Sequence, residues 1–401
     1  GVKTWSPLGI YEAPTSWGSM TTKYACFDGT LDGKGFGFTN LKIKNADADF
    51  SIFYGFGESA VVKNIKINGN INTTSGGIYP LVQDVEGHME NCSSTGTFQS
   101  ETGDVVGLFK TINTGAVVDN CHFDGTISTG TDEDLGGRIA GLGAMNEGVL
   151  KNSTVKGTLN GGGAYVAGIV LEQQASSNSN YTEEDFLIEN CTNYANIDRV
   201  CEYLDSGRYY DTIQAYGAGI AFQQRGGIIR NCANYGDIAL PESTYIATGE
   251  SPKGSWDART VLAGIVGNEC GSASDHRTGR IENCTNYGNL SGYAARMGGI
   301  VGSNVLIQSD YEVRDCVNYG KIDSQFIYGK NISGDNSYAG GIVGYSSSTG
   351  TAVVENVKNY GDLTAAGDTS VMGGIVGRFN GYLGRTESTF ALKNSANMGS
   401  V

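Results

Sequence analysis

Three stretches of the chain mix carboxylates, cationic groups and aromatic rings in a way that could do chemistry. Residues 198–215 hold Tyr203, Asp205, Arg208, Tyr209, Tyr210 and Asp211. Residues 239–260 hold Glu242, Tyr245, Glu250, Trp256, Asp257 and Arg259, and residues 323–338 hold Asp323, Phe326, Tyr328, Lys330 and Asp335. A shorter stretch, 291–297, adds Tyr293 and Arg296. Aromatic rings stack on the apolar faces of sugars, and carboxylates accept hydrogen bonds from hydroxyls. The candidate ligand-binding residues are therefore Tyr203, Tyr209, Tyr210, Asp211, Tyr245, Trp256, Asp257, Tyr293, Arg296, Phe326 and Tyr328. Two carboxylates about 5–10 Å apart would instead hydrolyse a glycosidic bond. Asp205, Asp211, Glu242, Glu250 and Asp257 could supply such a pair, and Arg208, Arg259 and Arg296 beside them would suit a β-eliminating lyase. The plainer alternative is that the rings pin the loops to the scaffold. No catalytic residue is assigned.

Other motifs carry less. Walker loops, zinc-ligand spacings and spaced-Asp calcium loops are absent from the sequence, so no metal and no cofactor is expected. Gly33-Lys34-Gly35 reads as a turn, since no helix pattern follows. The runs Asp132-Glu133-Asp134 and Glu183-Glu184-Asp185 read as solvated turns, and Asp275-His276-Arg277 is not a triad through sequence proximity alone. The net charge of −15 excludes nucleic acid as the main partner, because phosphate binding needs a cationic face. No apolar run is long enough to insert in a membrane as a helix. Residue 1 is Gly, with no leader-like segment behind it, so the sequence reads as a processed or trimmed chain.

The elements that must position these loops announce themselves as a repeat. Ile-Glu-Asn-Cys-Thr-Asn-Tyr-Ala occupies 188–195, and close copies begin at Ile229, Ile281, Val313, Val354 and Leu392. Weaker copies surround Asn64, Asn91, Asn120 and Asn152. A second phrase, Gly-Ile-Val-Gly, stands at 264–267, 299–302, 341–344 and 374–377, with degenerate forms beginning at Gly77, Gly107, Gly141, Gly168 and Gly219. The two alternate. Glycine supplies 61 of 401 residues and proline only 5, so the richness in glycine marks turns rather than a disordered linker or collagen. The shortest repeat runs 22 residues, from Gly55 to Gly77, and shows short β-branched runs without a helical period. That length fits one turn of a parallel β-helix and is too short for a propeller blade. The handedness of parallel crossovers makes the winding right-handed.

Stacked turns place equivalent residues about 4.8 Å apart, so each repeated residue becomes a ladder. Ile188, Ile229, Ile281, Val313, Val354 and Leu392 form an inward aliphatic ladder. Cys92, Cys121, Cys191, Cys232, Cys284 and Cys316 share one column with Ser153, Val357 and Ser395, a replacement pattern of packing rather than redox work. Off the column, Cys201 and Cys270 could pair in the loops. Asn91, Asn120, Asn152, Asn190, Asn231, Asn283, Asn356 and Asn394, with Asp315, form a turn ladder in the left-handed conformation that Asn tolerates. Tyr194, Tyr235, Tyr287, Tyr319 and Tyr360 form a stacked column, either structural or a stripe that holds sugars.

The paired Gly-Ile-Val-Gly and Asn-Tyr-Gly phrases resemble the GLUG-motif repeats of bacterial surface proteins, a group with adhesin-like members and the repeat regions of IgA-cleaving metalloproteases. The stretch Phe27–Ile43 is similar to a first coil of such β-helices. The resemblance spans about residues 26–401 and implies a β-helix at the cell surface or in secretion. No protease activity follows from it, because His-Glu-x-x-His is missing and the histidines are His88, His122 and His276.

The expected architecture is all-β: a right-handed parallel β-helix of about ten to twelve coils in one domain, 1–401. Residues 1–25, with Trp5 and Trp17, would form an N-terminal cap, and 26–401 the coils of a longer parent chain. The three long stretches follow the same phrase, so they should project from one corner, with coil 291–297 as a floor between raised walls. The expected function is an adhesin-like binding protein, bacterial and extracellular, whose partner is a glycan or a host surface protein. A polysaccharide lyase or glycoside hydrolase on the same scaffold, and a structural spacer, are the alternatives.

Overall fold

Each pair of phrases builds one turn of a parallel β-helix. The structure, a computed structural model, describes residues 6–14, 20–130, 137–161, 165–199, 203–206, 211–241, 256–269, 278–304, 310–325, 337–347, 350–366, 370–380 and 389–401. Trp5, Trp17, Cys201, Cys270, the Asp132 run and Asp275-His276-Arg277 lie outside them.

Four sheets run the length of the solenoid. Sheet 1 stacks eleven described strands, from Thr30–Asp32 to Thr389–Lys393. Sheet 2 has sixteen, from Gly37–Ala46 to Ala396–Asn397. Sheet 3 has nine, among them Val105–Val106 and Val371–Gly373. Sheet 4 has ten, from Phe53–Phe56 to Val376–Phe379. One coil passes through all four: Gly279–Glu282, then Thr285–Asn286 and Leu290–Gly292, then Arg296–Gly298, then Val301–Asn304. The N-terminal segment is spliced into this scheme. Leu8 and Phe27 both bridge in parallel to the strand Phe53–Phe56, and the antiparallel hairpin Ile10–Pro14 with Met20–Tyr24 stands between them.

The corner between sheets 1 and 2 is the asparagine turn. Ten Asn residues and Asp315 hold φ between 46° and 58° there and at Asn40. The side chains link along the stack: Nδ2 of Asn190 donates to Oδ1 of Asn152 at 3.1 Å, and Nδ2 of Asn283 to Oδ1 of Asn231 at 2.6 Å. The aliphatic and cysteine ladders point inward. Ile188, Ile229, Ile281, Val313 and Val354 have no exposure, and Cys92, Cys121, Cys191, Cys232, Cys284 and Cys316 are free and buried. Leu392 departs from its ladder, 48% exposed, because no described strand packs beyond its rung.

A second asparagine ladder was not read from the sequence. Asn193, Asn234, Asn286, Asn318 and Asn359 are fully buried. Each Nδ2 donates to the carbonyl two residues on and to Oδ1 of the next Asn, at 2.9 and 2.8 Å for Asn286. The first Gly of Gly-Ile-Val-Gly packs on this ladder. A β-carbon at Gly264 would lie 2.3 Å from Cγ of Asn286, and one at Gly299 would lie 2.4 Å from Cγ of Asn318. In earlier coils the same column holds Val155 and Phe123.

Sheet 1 carries alternating charge on its outer side: Asp119, Lys151, Glu189, Arg230, Glu282, Arg314, Glu355 and Lys393 are successive register partners. Slipping the stack by one coil would oppose like charges. The Glu183-Glu184-Asp185 run is not a free solvated turn. It forms a short 3-10 helix laid over this sheet, with Glu184 at 2.9 Å from Arg230 and Glu183 at 2.9 Å from Arg280. The insertion thus straps its own coil to the next two.

Asn286→Ala removes three buried hydrogen bonds and strands Asn234 and Asn318, so urea unfolding should show a loss of about 3 kcal/mol. Gly299→Ala should cost at least as much, and a loss under about 1 kcal/mol for both would contradict the ladder. Burial pushes the Cys121, Cys232 and Cys316 thiols well above their ordinary value. Their contribution is complete below the unfolded thiol's value of about 8.5 and is lost as pH rises toward the folded value. Cys232→Val, which copies Val357 of the same column, should therefore flatten part of the loss of stability between about pH 8 and pH 10 in thermal melts.

Candidate functional site

All three long stretches leave sheet 2 and enter sheet 3, so they do share one corner. They connect Asn196–Arg199 to Asp211–Ala218, Ile238–Leu240 to Trp256–Ala263, and Ile322–Ser324 to Tyr338–Gly340. The intervening coil turns directly from Leu290–Gly292 to Arg296–Gly298. The floor therefore has two insertions on one side and one on the other.

The first two insertions form structure together. Most strands of sheet 3 are two or three residues long, but Asp211–Ala218 and Trp256–Ala263 each run for eight. They pair in parallel through the whole length, with Asp211 opposite Trp256 and Thr212 opposite Asp257. Tyr203–Ser206 folds back antiparallel on the first of them, placing Tyr203 opposite Gln214 and Ser206 opposite Asp211. A three-stranded flap thus extends sheet 3 beyond the body of the solenoid. Of the eleven candidate residues, Tyr203, Asp211, Trp256 and Asp257 lie on this flap. Tyr209, Tyr210, Tyr245, Phe326 and Tyr328 lie outside the described residues.

On the floor, Tyr293 is half-buried and its backbone N–H donates to the carbonyl of Leu240 at 3.0 Å. Arg296 is already engaged. Its guanidinium lies 4.5 Å from the Tyr345 ring centroid and donates from Nη1 to Oγ of Ser303 at 3.2 Å. It fills the notch between sheets 3 and 4, so it is a scaffold residue as well as a candidate contact. In earlier coils the outward side chains here form a second apolar cluster around Tyr79, Leu171, Tyr216 and Phe222. Arg138 bridges its rim, 2.7 Å from Asp104 and 3.1 Å from Glu172. Burial, with the nearby charge of Glu172, raises the Glu147 carboxyl above the usual carboxylate range.

The tyrosine column is a continuous stack. Ring centroids from Tyr194 through Tyr235, Tyr287 and Tyr319 to Tyr360 are separated by 5.1, 4.5, 5.2 and 4.9 Å. Planes are within 14° of parallel, and every ring is exposed. The inner ring faces are taken by one another, so the stripe offers solvent its edges and hydroxyls. A sugar ring cannot lie on those faces, and the stack reads as structural. Among the described residues, no three His, Cys, Asp or Glu side chains cluster to hold a metal ion. No helix of the described residues is long and apolar enough to cross a membrane.

No protein-family model matches the chain, no curated protein matches it, and no solved structure matches it.

The two floor residues should separate in mutagenesis. Arg296→Ala loses the Tyr345 stacking and the Ser303 hydrogen bond, and should lower stability by about 1 kcal/mol in denaturant titration. Tyr293→Ala should change stability by less than about 0.5 kcal/mol. Equal losses would show that Tyr293 is also a scaffold residue.

Proposed function

We propose that this protein is a bacterial surface or secreted binding protein of the GLUG-repeat kind, and that it binds a glycan at the corner where its long insertions emerge. The observation that carries this reading is the flap. Two insertions from neighbouring coils are in register, so an aromatic residue, Trp256, stands beside a carboxylate residue, Asp211, on paired strands about 4.8 Å apart. An aromatic residue and a carboxylate residue at one register position are the two residue types that engage the apolar face and the hydroxyls of a sugar. A rigid scaffold holds the flap, which limits the entropy lost on binding. Sites built on loops over a rigid frame are the usual place for recognition.

A glycoside hydrolase is the second reading. The Glu147 carboxyl, raised by burial and by the nearby Glu172, favours it, since hydrolysis needs a carboxyl that holds its proton with a second carboxyl group in reach.

Incubation of the protein with plant, mucin and host polysaccharides, recording both retention and chain length, tests both. Retention without shortening, weakened about tenfold or more by Trp256→Ala, is the expected result. Shortening that is abolished by Glu147→Gln would replace it with the hydrolase. Neither retention nor shortening would overturn the glycan reading and leave a host protein partner or a spacer.

A further inference from the structure

Sheet 2 changes character along the solenoid. In the later coils the Asn-Tyr-Gly turn splits each rung into two short strands. In the earlier coils the rungs are unbroken: Lys66–Thr73, Ser93–Ser100 and His122–Thr129 each run for eight residues and pair residue for residue. Thr154–Asn160 continues the register for seven more. Inward residues such as Ile71, Phe98, Ile127 and Leu159 are buried, so the alternate residues face solvent as a regular lattice.

That lattice is polar in a particular way. Its outward positions are amides and hydroxyls, among them Asn70, Thr97, Thr126 and Thr158 in one column and Asn72, Gln99, Ser128 and Asn160 in the next. Elsewhere in this protein stacked asparagines bond to one another. Here the side chains of these two columns make no hydrogen bond within the described protein. Four lysines, Lys42, Lys44, Lys66 and Lys156, stand on the same face and are exposed. None forms an ion pair with a described residue, whereas the described arginines of sheet 1 do. Asp124 is the one carboxylate among the outward positions of the unbroken rungs. A chain of net charge −15 thus carries a locally cationic face.

The face is also indented. The strand Gly37–Ala46 pairs with Lys66–Thr73 through two register shifts, one between Phe38 and Leu41. Such irregularities kink a strand and re-aim its side chains. Beside it lies an open groove of about 440 Å³, lined by Lys42, Lys44, Asn70, Asn72, Thr97 and Gln99.

We propose that this face binds a linear carboxylated polysaccharide, with Lys42 and Lys44 pairing its carboxylates and the amide and hydroxyl columns taking its hydroxyls. Carboxylates pair with ammonium groups, and amides both donate to and accept from sugar hydroxyls. A polymer laid across the rungs meets the same side chains at regular intervals, about 4.8 Å apart. The overall negative charge repels densely charged chains, so one carboxylate per sugar fits better than a heavily sulfated polymer or nucleic acid. This face belongs to the earliest coils and does not include the flap.

Affinity electrophoresis of the full chain in gels containing polygalacturonate tests the proposal, with dextran, heparin and single-stranded DNA as comparison polymers. Retardation by polygalacturonate that weakens with salt is expected. The double variant Lys42→Ala/Lys44→Ala should weaken it about tenfold. Asn70→Ala/Thr97→Ala, which keeps the charge, should weaken it about threefold, and Lys358→Ala, at an exposed lysine of sheet 2 in a later coil, should leave it unchanged. All four positions are on an outward face, so thermal melts of these variants should match the parent. No retardation by polygalacturonate would overturn the proposal, as would retardation that survives Lys42→Ala/Lys44→Ala. Equal retardation by heparin and DNA would also overturn it, marking unselective attraction of polyanions. Loss in Trp256→Ala alone would move the binding to the flap, supporting the flap as the glycan site and removing this one.

Discussion

The contact between the buried asparagine ladder and the glycine column sets the shape of the later coils. An amide in a dry core must satisfy its donors and acceptor or cost stability. Asn234, Asn286, Asn318 and Asn359 do so by bonding to their own turn and to one another. The ladder works only if the sheet 3–sheet 4 corner of the preceding coil comes close, and only glycine at 219, 264, 299 and 341 leaves room. The two phrases alternate in the sequence because they are two halves of one contact. The tyrosine that follows each Asn is carried outward by the same turn, which is why the rings stack in register.

This constraint divides the molecule. Where Asn occupies the column, each rung of sheet 2 turns at Tyr-Gly and the outer side is a stack of tyrosine edges. Where Ile67, Ser94, Phe123 or Val155 occupies it, the rung runs straight and the outer side is a flat lattice of amides, hydroxyls and lysines. The long insertions emerge among the Asn coils, at the corner where sheet 2 hands the chain to sheet 3. Eight-residue strands form there because the two neighbouring insertions give each other a pairing partner. A single insertion of that length on one coil would have an unpaired edge. Both proposed binding surfaces are thus consequences of which residue sits in one buried column.

Much of the fold was legible from residue types alone. A repeat with β-branched runs, Asn turns and glycine corners specifies stacked rungs, and the column of Cys, Ser and Val announced a small buried position. The shared corner of the insertions could be read from their place after the same phrase. Three things could not be read. The burial of the second asparagine could not be seen, since nothing local distinguishes an amide facing solvent from one facing the core. The acidic run at 183–185 looked solvated, since its partners Arg230 and Arg280 are one and two coils away. The lysines at 42 and 44 could not be joined to a surface, since their neighbours at 70, 72, 97 and 99 are brought beside them only by coiling.

The sequence by itself therefore determined the period, the ladders and the all-β class, because these depend on local conformational preference and on a pattern repeated in every coil. Only the tertiary structure decided which outward positions face a common surface and which are spent on one another. Arg296 shows the difference: its sequence context suggested a ligand contact, and stacking put it over Tyr345. The physical reason is that a solenoid joins residues about one coil apart in sequence, and insertions change that distance from coil to coil. Neighbours across rungs are then set by backbone pairing, which no short stretch of sequence contains.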